Sequence, residues 1–178
     1  MKRAAIWTGS LCALALAGCQ SSQSFGEAPP ASGSEAGLRA ELLDTAGRNM
    51  GSASATQAGN SIRIVVDGMG LPLGAHGAHV HAVGACSPPD FTSAGPHWNP
   101  TQRQHGKDNP AGAHAGDLPN LLIGADGRGS LQYTIPGARP ADMMDGDGAA
   151  IVIHATADDY RTDPSGNSGG RIACGVFR

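Results

Sequence analysis

Ser61-Ile62-Arg63-Ile64-Val65-Val66-Asp67 alternates with a period of two. Ile62, Ile64 and Val66 fall on one face and Ser61, Arg63 and Asp67 on the other, the pattern of a strand that buries one side of a sheet. Working outward, Gly37 to Asp44 reads as a first strand, Thr45 to Arg48 as a turn, and Ser52 to Gln57 as a weak strand of small residues ended by Gly59-Asn60. Gly68, Gly70, Pro72 and Gly74 make the loop that follows. Further on, Leu121 to Ala125 and Gly129 to Ile135 flank Asp126-Gly127, a hairpin signal. Ala150 to His154 is an apolar strand-like run, and Arg171 to Phe177 a last strand. Gly137 to Gly146 has room for a short helical turn but reads better as loop. Short strands separated by turns, with no sustained helical period, predict an all-β antiparallel sandwich or barrel.

Composition narrows the class. Phe, Trp and Tyr total 4% while Gly numbers 27, so the core is aliphatic and the fold rich in turns. Lys2 and Arg3 precede an apolar run, Ala4 to Gly18, too short to span a bilayer as a mature helix, which reads as a secretory signal over residues 1–18. The run ends Leu16-Ala17-Gly18-Cys19, which resembles the bacterial lipobox, in which the cysteine is lipidated and becomes the mature N-terminus. Gln20 follows it, not the Asp of inner-membrane retention, so the expected location is the bacterial cell envelope, on the periplasmic side, anchored to the outer membrane through Cys19. Residues 19–36 read as a flexible Ser/Gly/Pro-rich tether and 37–178 as one domain. The formal charge of -3 becomes -5 when Lys2 and Arg3 leave with the signal. With no basic stripe either, the charge argues against nucleic acid as a partner. Cys86 and Cys174 remain as an even pair in an oxidising compartment, either bridged or as two buried thiols.

Six of the seven histidines lie between His76 and His114, with Asp117 just beyond. Imidazole is the commonest protein ligand for zinc and copper, and a carboxylate joins it readily, so this density predicts a metal centre. In an extended segment His79 and His81 point to one face, about 6.6 Å apart along the strand, close enough to converge on one ion. His97, just before Pro100, joins His105, His114 and Asp117, which are spread along a polar loop from Pro100 to Asn120 that has little else to order it. Three imidazoles and a carboxylate make a closed zinc set. His154, far downstream at the end of an apolar run, reads as a ligand delivered by the fold, and a second polar, Gly-rich loop runs from Ala155 to Gly170. His76 reads as structural, bonding the backbone.

Gly77-Ala78-His79-Val80-His81, Cys86, Thr92-Ser93-Ala94-Gly95-Pro96-His97-Trp98-Asn99-Pro100, His105, His114-Ala115-Gly116-Asp117-Leu118, His154 and Gly169-Gly170-Arg171-Ile172-Ala173-Cys174-Gly175-Val176 together resemble the copper/zinc superoxide dismutase family, collinearly from about residue 37 onward. That family is a known example of β-sandwich architecture and of diffusion-limited turnover, and both expectations enter through the resemblance.

The resemblance implies a Greek-key antiparallel barrel or sandwich, immunoglobulin-like, with two long functional loops. It implies one copper per subunit on His79, His81, His97 and His154, and one zinc on His97, His105, His114 and Asp117, with His97 shared as an imidazolate bridge. Asp158 would hydrogen-bond one histidine of each set, Cys86 and Cys174 would form the family's disulfide, and Arg171 would receive the anion beside copper. The implied reaction is dismutation of superoxide in two half-reactions, one reducing copper and releasing dioxygen, the other reoxidising it and releasing hydrogen peroxide. His97 and Arg171 would be the residues closest to the chemistry. Two features depart from the family: Ala78 stands where it usually has Phe, and the second loop is short of lysine. A non-catalytic copper/zinc-binding envelope lipoprotein is the rival reading, and the sequence leaves a homodimer open.

Overall fold

The structure is a computed structural model of the chain and describes Met1 and residues 37–178. The signal expected over 1–18, Cys19 and the tether over 19–36 lie outside the described residues. Nine strands follow: β1 (Leu38–Leu43), β2 (Asn49–Gln57), β3 (Ser61–Met69), β4 (Gly74–His76), β5 (Ala78–His81), β6 (Leu121–Ile123), β7 (Arg128–Pro136), β8 (Ala150–His154) and β9 (Arg171–Val176). Seven of them form one antiparallel sheet in the order β5-β8-β9-β1-β2-β3-β7, and β4 pairs with β6. β4 runs into β5 through Gly77, and β6 leads through a short turn into β7. The β4–β6 pair therefore draws the two outer strands of the long sheet towards each other, curling it into a barrel.

Period-two patterning places the core. Ile62, Ile64 and Val66 are fully buried, while Arg63 and Asp67 are exposed. Across the ladder Ala55 faces Ile64 and Ala53 faces Val66, so the small residues of β2 make room for the large ones of β3. Each of those three side chains contributes about 1.5–3 kcal/mol by leaving water. The Asp126-Gly127 turn forms, with Gly124 N donating to Arg128 O, but β6 and β7 do not ladder with each other; β6 pairs with β4 and β7 with β3. The segment expected mostly as loop holds a 3-10 turn, Pro140–Met143, which buries Met143 in the core.

The strands that carry the histidines are buried on both faces. In β5, Ala78 and Val80 join the main core, so His79 and His81 face the opposite side. In β8, Ile151 and Ile153 point into that core, whereas Ala150 and Val152 pack with Phe91, Ala94 and Cys174. Ala78, paired with Ile153, is wholly buried.

The outer edge of β5 would be an unpaired strand edge, and the polar loop covers it. Val80 N donates to Gly116 O at 2.9 Å, Trp98 N donates to Val80 O at 2.8 Å, and Leu118 N donates to Ala78 O at 3.2 Å. Gly116 is required there because a Cβ would stand 2.3 Å from Val80 O. This stitching sets His97 opposite His81 and Asp117 opposite His79.

Candidate metal centre

Two adjoining clusters lie on the outer face of β5 and β8. His79, His81, His97 and His154 offer ligand atoms that all lie within 4.8 Å of one another, and so do His79, His97, His105 and Asp117. All six residues are buried. His114, half-buried, belongs to the second cluster by distance: its Nδ1 is 3.1 Å from Asp117 Oδ1 and 3.4 Å from His97 Nδ1. The Oδ1 atom of Asp117 is also 2.9 Å from His97 Nδ1 and 3.1 Å from His105 Nδ1.

Main-chain carbonyls fix which ring nitrogen carries the proton, because a carbonyl only accepts. His81 Nδ1 donates to Gly95 O at 2.8 Å and His154 Nδ1 to Gly169 O at 3.1 Å. Asp158 does the same from one residue to two rings: Oδ2 accepts from His79 Nε2 at 2.8 Å and Oδ1 from His105 Nε2 at 3.0 Å. The nitrogens left over are His79 Nδ1, His81 Nε2, His97 Nε2, His105 Nδ1 and His154 Nε2, all buried and none with a hydrogen-bond partner. Five unpartnered imidazole nitrogens in one small volume cost a protein stability unless a cation receives them. The donor set therefore fits two ions. A tetrahedral zinc with ligands at 2.0–2.1 Å has ligand-to-ligand edges of about 3.3 Å, close to the 2.9–3.4 Å spacings around Asp117.

Charge and burial set opposite tendencies in the two clusters. Burial pushes His81 down to about 2, His154 to about 3 and His97 to about 4, with neighbouring histidines adding to the effect; Asp117 partly opposes it at His97. His79 is lowered by burial too, against the pull of Asp158. At His105 burial also lowers, but Asp117 and Asp158 outweigh it and raise the ring to about 9. Both carboxyl groups are held below the usual carboxylate range: burial would raise them, and the His105 ring beside both, with hydrogen bonds from His97 at Asp117 and from His79 at Asp158, overcomes it.

Arg171 reaches this face through a β-bulge. Ile153 pairs with Ala173 but His154 pairs with Arg171, so Ile172 is the extra residue. The guanidinium donates to Phe91 O at 2.7 Å and Gly95 O at 2.9 Å. Phe91 adopts a left-handed φ of 55° and packs beside the Cys86–Cys174 disulfide, which is formed. A cleft of about 450 Å³ opens onto His81, His97 and His154, and its charged lining is Arg171, Arg103 and Asp163. Asp163 accepts from His105 N, and the two cations outnumber its single negative charge. A larger concavity, about 810 Å³, is lined by β1, the disulfide and Arg178 and contains none of the clustered histidines.

His76 is buried and structural, its ring nitrogens 2.8 Å from His154 O and Pro72 O. Sequence reasoning passed over Arg103, Asn120 and Tyr160; polar residues in Gly-rich loops carry no periodic signal that would single them out. Lys107 lies over the Tyr160 ring at 4.1 Å.

An antiparallel barrel whose outer face gathers five unpartnered imidazole nitrogens, two carboxylates and a cationic cleft is the framework of a two-metal enzyme acting on a small anion. The family described as copper/zinc superoxide dismutase (SODC) matches residues 49–177. A relative from Aquifex aeolicus, superoxide dismutase [Cu-Zn] 2, is 42% identical over 146 residues, covering 78% of this chain and 85% of the relative. One from Caulobacter vibrioides, superoxide dismutase [Cu-Zn], is 39% identical over 140 residues, covering 74% and 80%. Among solved structures, a SOD-like protein from Bacillus subtilis superposes with a TM-score of 0.73 at 39% identity, over 78% of this chain and 96% of that one. The Cu/Zn superoxide dismutase of Brucella abortus gives 0.66 at 27% identity, over 80% and 99%. The chain belongs to the copper/zinc superoxide dismutase family, and its activity is superoxide dismutation with copper and zinc as cofactors.

Proposed function

We propose that copper is held by His79 Nδ1 and by Nε2 of His81, His97 and His154, and zinc by Nδ1 of His97, His105 and His114 with Asp117 Oδ1. The observation that carries this is the set of unpartnered nitrogens, four of which belong to the first cluster. His79 and His97 are common to both groupings, yet only His97 presents a nitrogen to each: His79 commits Nε2 to Asp158, whereas His97 has Nε2 free and Nδ1 beside Asp117 and His114. His97 would therefore serve both sets, and His114 would complete the zinc set in place of His79.

Copper when bound supplies the alternating one-electron redox chemistry, and zinc, having none, holds geometry and tunes the bridge. The chain supplies the rest. Arg171, fixed by two carbonyls, donates to the incoming anion beside the first cluster, and Arg103 adds a second positive charge to the mouth. Local attraction matters because the domain is net negative, and such attraction is screened by salt. His97 Nε2 is the atom placed to carry a proton to the departing peroxide. Two superoxide ions and two protons thus give dioxygen and hydrogen peroxide.

A lipid on Cys19 would tether the domain to the outer membrane, facing the periplasm, where it would remove extracytoplasmic superoxide. Two measurements test these readings. Copper and zinc per chain, read with cyanide-sensitive superoxide disappearance on the same sample, should give about one of each metal and fast turnover; full metal occupancy without turnover would leave a metal-binding lipoprotein instead. Labelled palmitate should enter the wild-type chain and not Cys19→Ala; label in both would refute the anchor.

A further inference from the structure

Asn120 makes no hydrogen bond to a clustered histidine, yet it grips the residue that joins two of them. Its side-chain amide pairs with the main chain of Asp158 in both directions: Oδ1 accepts from Asp158 N at 2.8 Å, and Nδ2 donates to Asp158 O at 3.0 Å. Two bonds to one residue's main chain restrict both its rotation and its translation. The carboxylate is then aimed by a third contact, Tyr160 N donating to Asp158 Oδ1 at 2.7 Å. Asn120 closes the circuit, since its own main-chain N donates to Tyr160 Oη at 2.8 Å.

Tyr160 is in turn fixed from the other loop. Asp108 N donates to its carbonyl at 3.0 Å, and Lys107 covers its ring. Its left-handed φ of 63° is a conformation that an aromatic residue keeps only when its surroundings enforce it. Neither long loop has many apolar side chains with which to order itself. Their joint orientation around Asp158 therefore depends on these polar contacts.

Resting on the ligand sets proposed above, we infer that Asn120 is a positioning residue: acting through Asp158, it fixes the ring planes of His79 and His105 and so couples the copper site to the zinc site. Outer hydrogen-bond partners orient metal-binding histidines, and their loss typically costs ~10- to 100-fold in affinity. Asn120 stands one contact further out. Its effect reaches both clusters because Asp158 accepts from one ring of each.

The test compares the full-length chain with Asn120→Ala and Tyr160→Phe, loaded with Cu(II) and with Co(II) as a coloured probe of the zinc set. The readouts are the rate of Co(II) loss to EDTA, the Co(II) visible absorption bands, the Cu(II) EPR spectrum before and after Co(II) is added, and the melting temperature without metal. Asn120→Ala should lose Co(II) about 10-fold faster or more, with altered bands and a smaller EPR response to Co(II). Tyr160→Phe should move the same way by less, and it decides the matter alone if Asn120→Ala does not fold. Variants that melt earlier but match wild type in Co(II) loss and both spectra would reduce Asn120 to a structural residue and overturn the inference. A wild-type chain that fails to take up one Cu(II) and one Co(II) would instead defeat the ligand sets, and this inference with them.

Discussion

Arg171 stands opposite His154 across β8 and β9 because the ladder slips by one residue there. In an unbroken register His154 would face Ile172, and Arg171 would share the core side of Ala173. The bulge is what gives the histidine cluster its cation, and two carbonyls then hold the guanidinium in place.

Arg171→Ala should keep both metals and lower kcat/KM by about 10-fold or more, within the range by which local charge raises encounter rates. Arg103→Ala should give a smaller loss that fades as salt is raised. Plotting kcat/KM against ionic strength for wild type and both variants checks this; a wild-type rate indifferent to salt would count against steering by these cations.

His97→Ala should impair uptake of both metals, whereas His114→Ala should spare copper. Metal content by mass spectrometry after dialysis separates the two, and a His97→Ala protein with full copper and zinc would end the bridging proposal.

Without metal, stability should be highest around pH 6–7. His81, His154 and His97 have folded values of about 2, 3 and 4, below the 6.5 of the unfolded chain, so the unfolded state binds more protons and stability falls as pH drops below 6.5. Each contributes at most about 1.4 kcal/mol per pH unit in that window. His105, raised to about 9, works the other way: its contribution is present below 6.5 and lost as pH climbs to about 9. Urea unfolding of the metal-free, disulfide-intact protein from pH 4.5 to 9.5 should trace this maximum. The same His105 proton must leave when zinc binds, so zinc affinity should rise with pH over the upper half of that range.

Gly166→Ala should loosen both sites. Its φ is +64°, and a Cβ there would stand 1.8 Å from Asp158 Oδ1 and 2.7 Å from His105 Nε2. The carboxylate would have to move off one ring or both. Faster loss of both metals to a chelator is the expected result, and unchanged retention would show that Asp158 tolerates displacement.

Replacing Cys86 and Cys174 with Ser should cost about 4–5 kcal/mol on the chain-entropy view, since the bridge spans 88 residues. It should also free the segment whose Phe91 and Gly95 carbonyls hold Arg171. Activity per bound copper should therefore fall along with the melting temperature.

Much of this is legible in the sequence alone. The alternation of Ile62, Ile64 and Val66, and of His79 with Val80 and His81, needs only the two-residue period of a strand. The collinear histidine motifs carried the family, and the disulfide formed between the two cysteines expected to pair. What the sequence hid was register and loop packing. In Arg171-Ile172-Ala173 plain alternation puts Arg171 with Ala173, and nothing in those letters marks a bulge. The pairing of β4 with β6 was equally silent, because Asp126-Gly127 signals a turn without saying which strands will ladder. Asn120 and Tyr160 escaped notice because their work is done by hydrogen bonds between loops distant in sequence, which have no local pattern.

The loop that brings His97 and Asp117 into the histidine clusters is also the cover of β5's outer edge. Assembly of the clusters and shielding from other chains thus depend on one segment. Were the loop to come away from β5, the main chain of Ala78 and Val80 would be free to pair with another molecule. The metal-free chain is therefore expected to self-associate more than the metal-loaded one, which light scattering of the two checks.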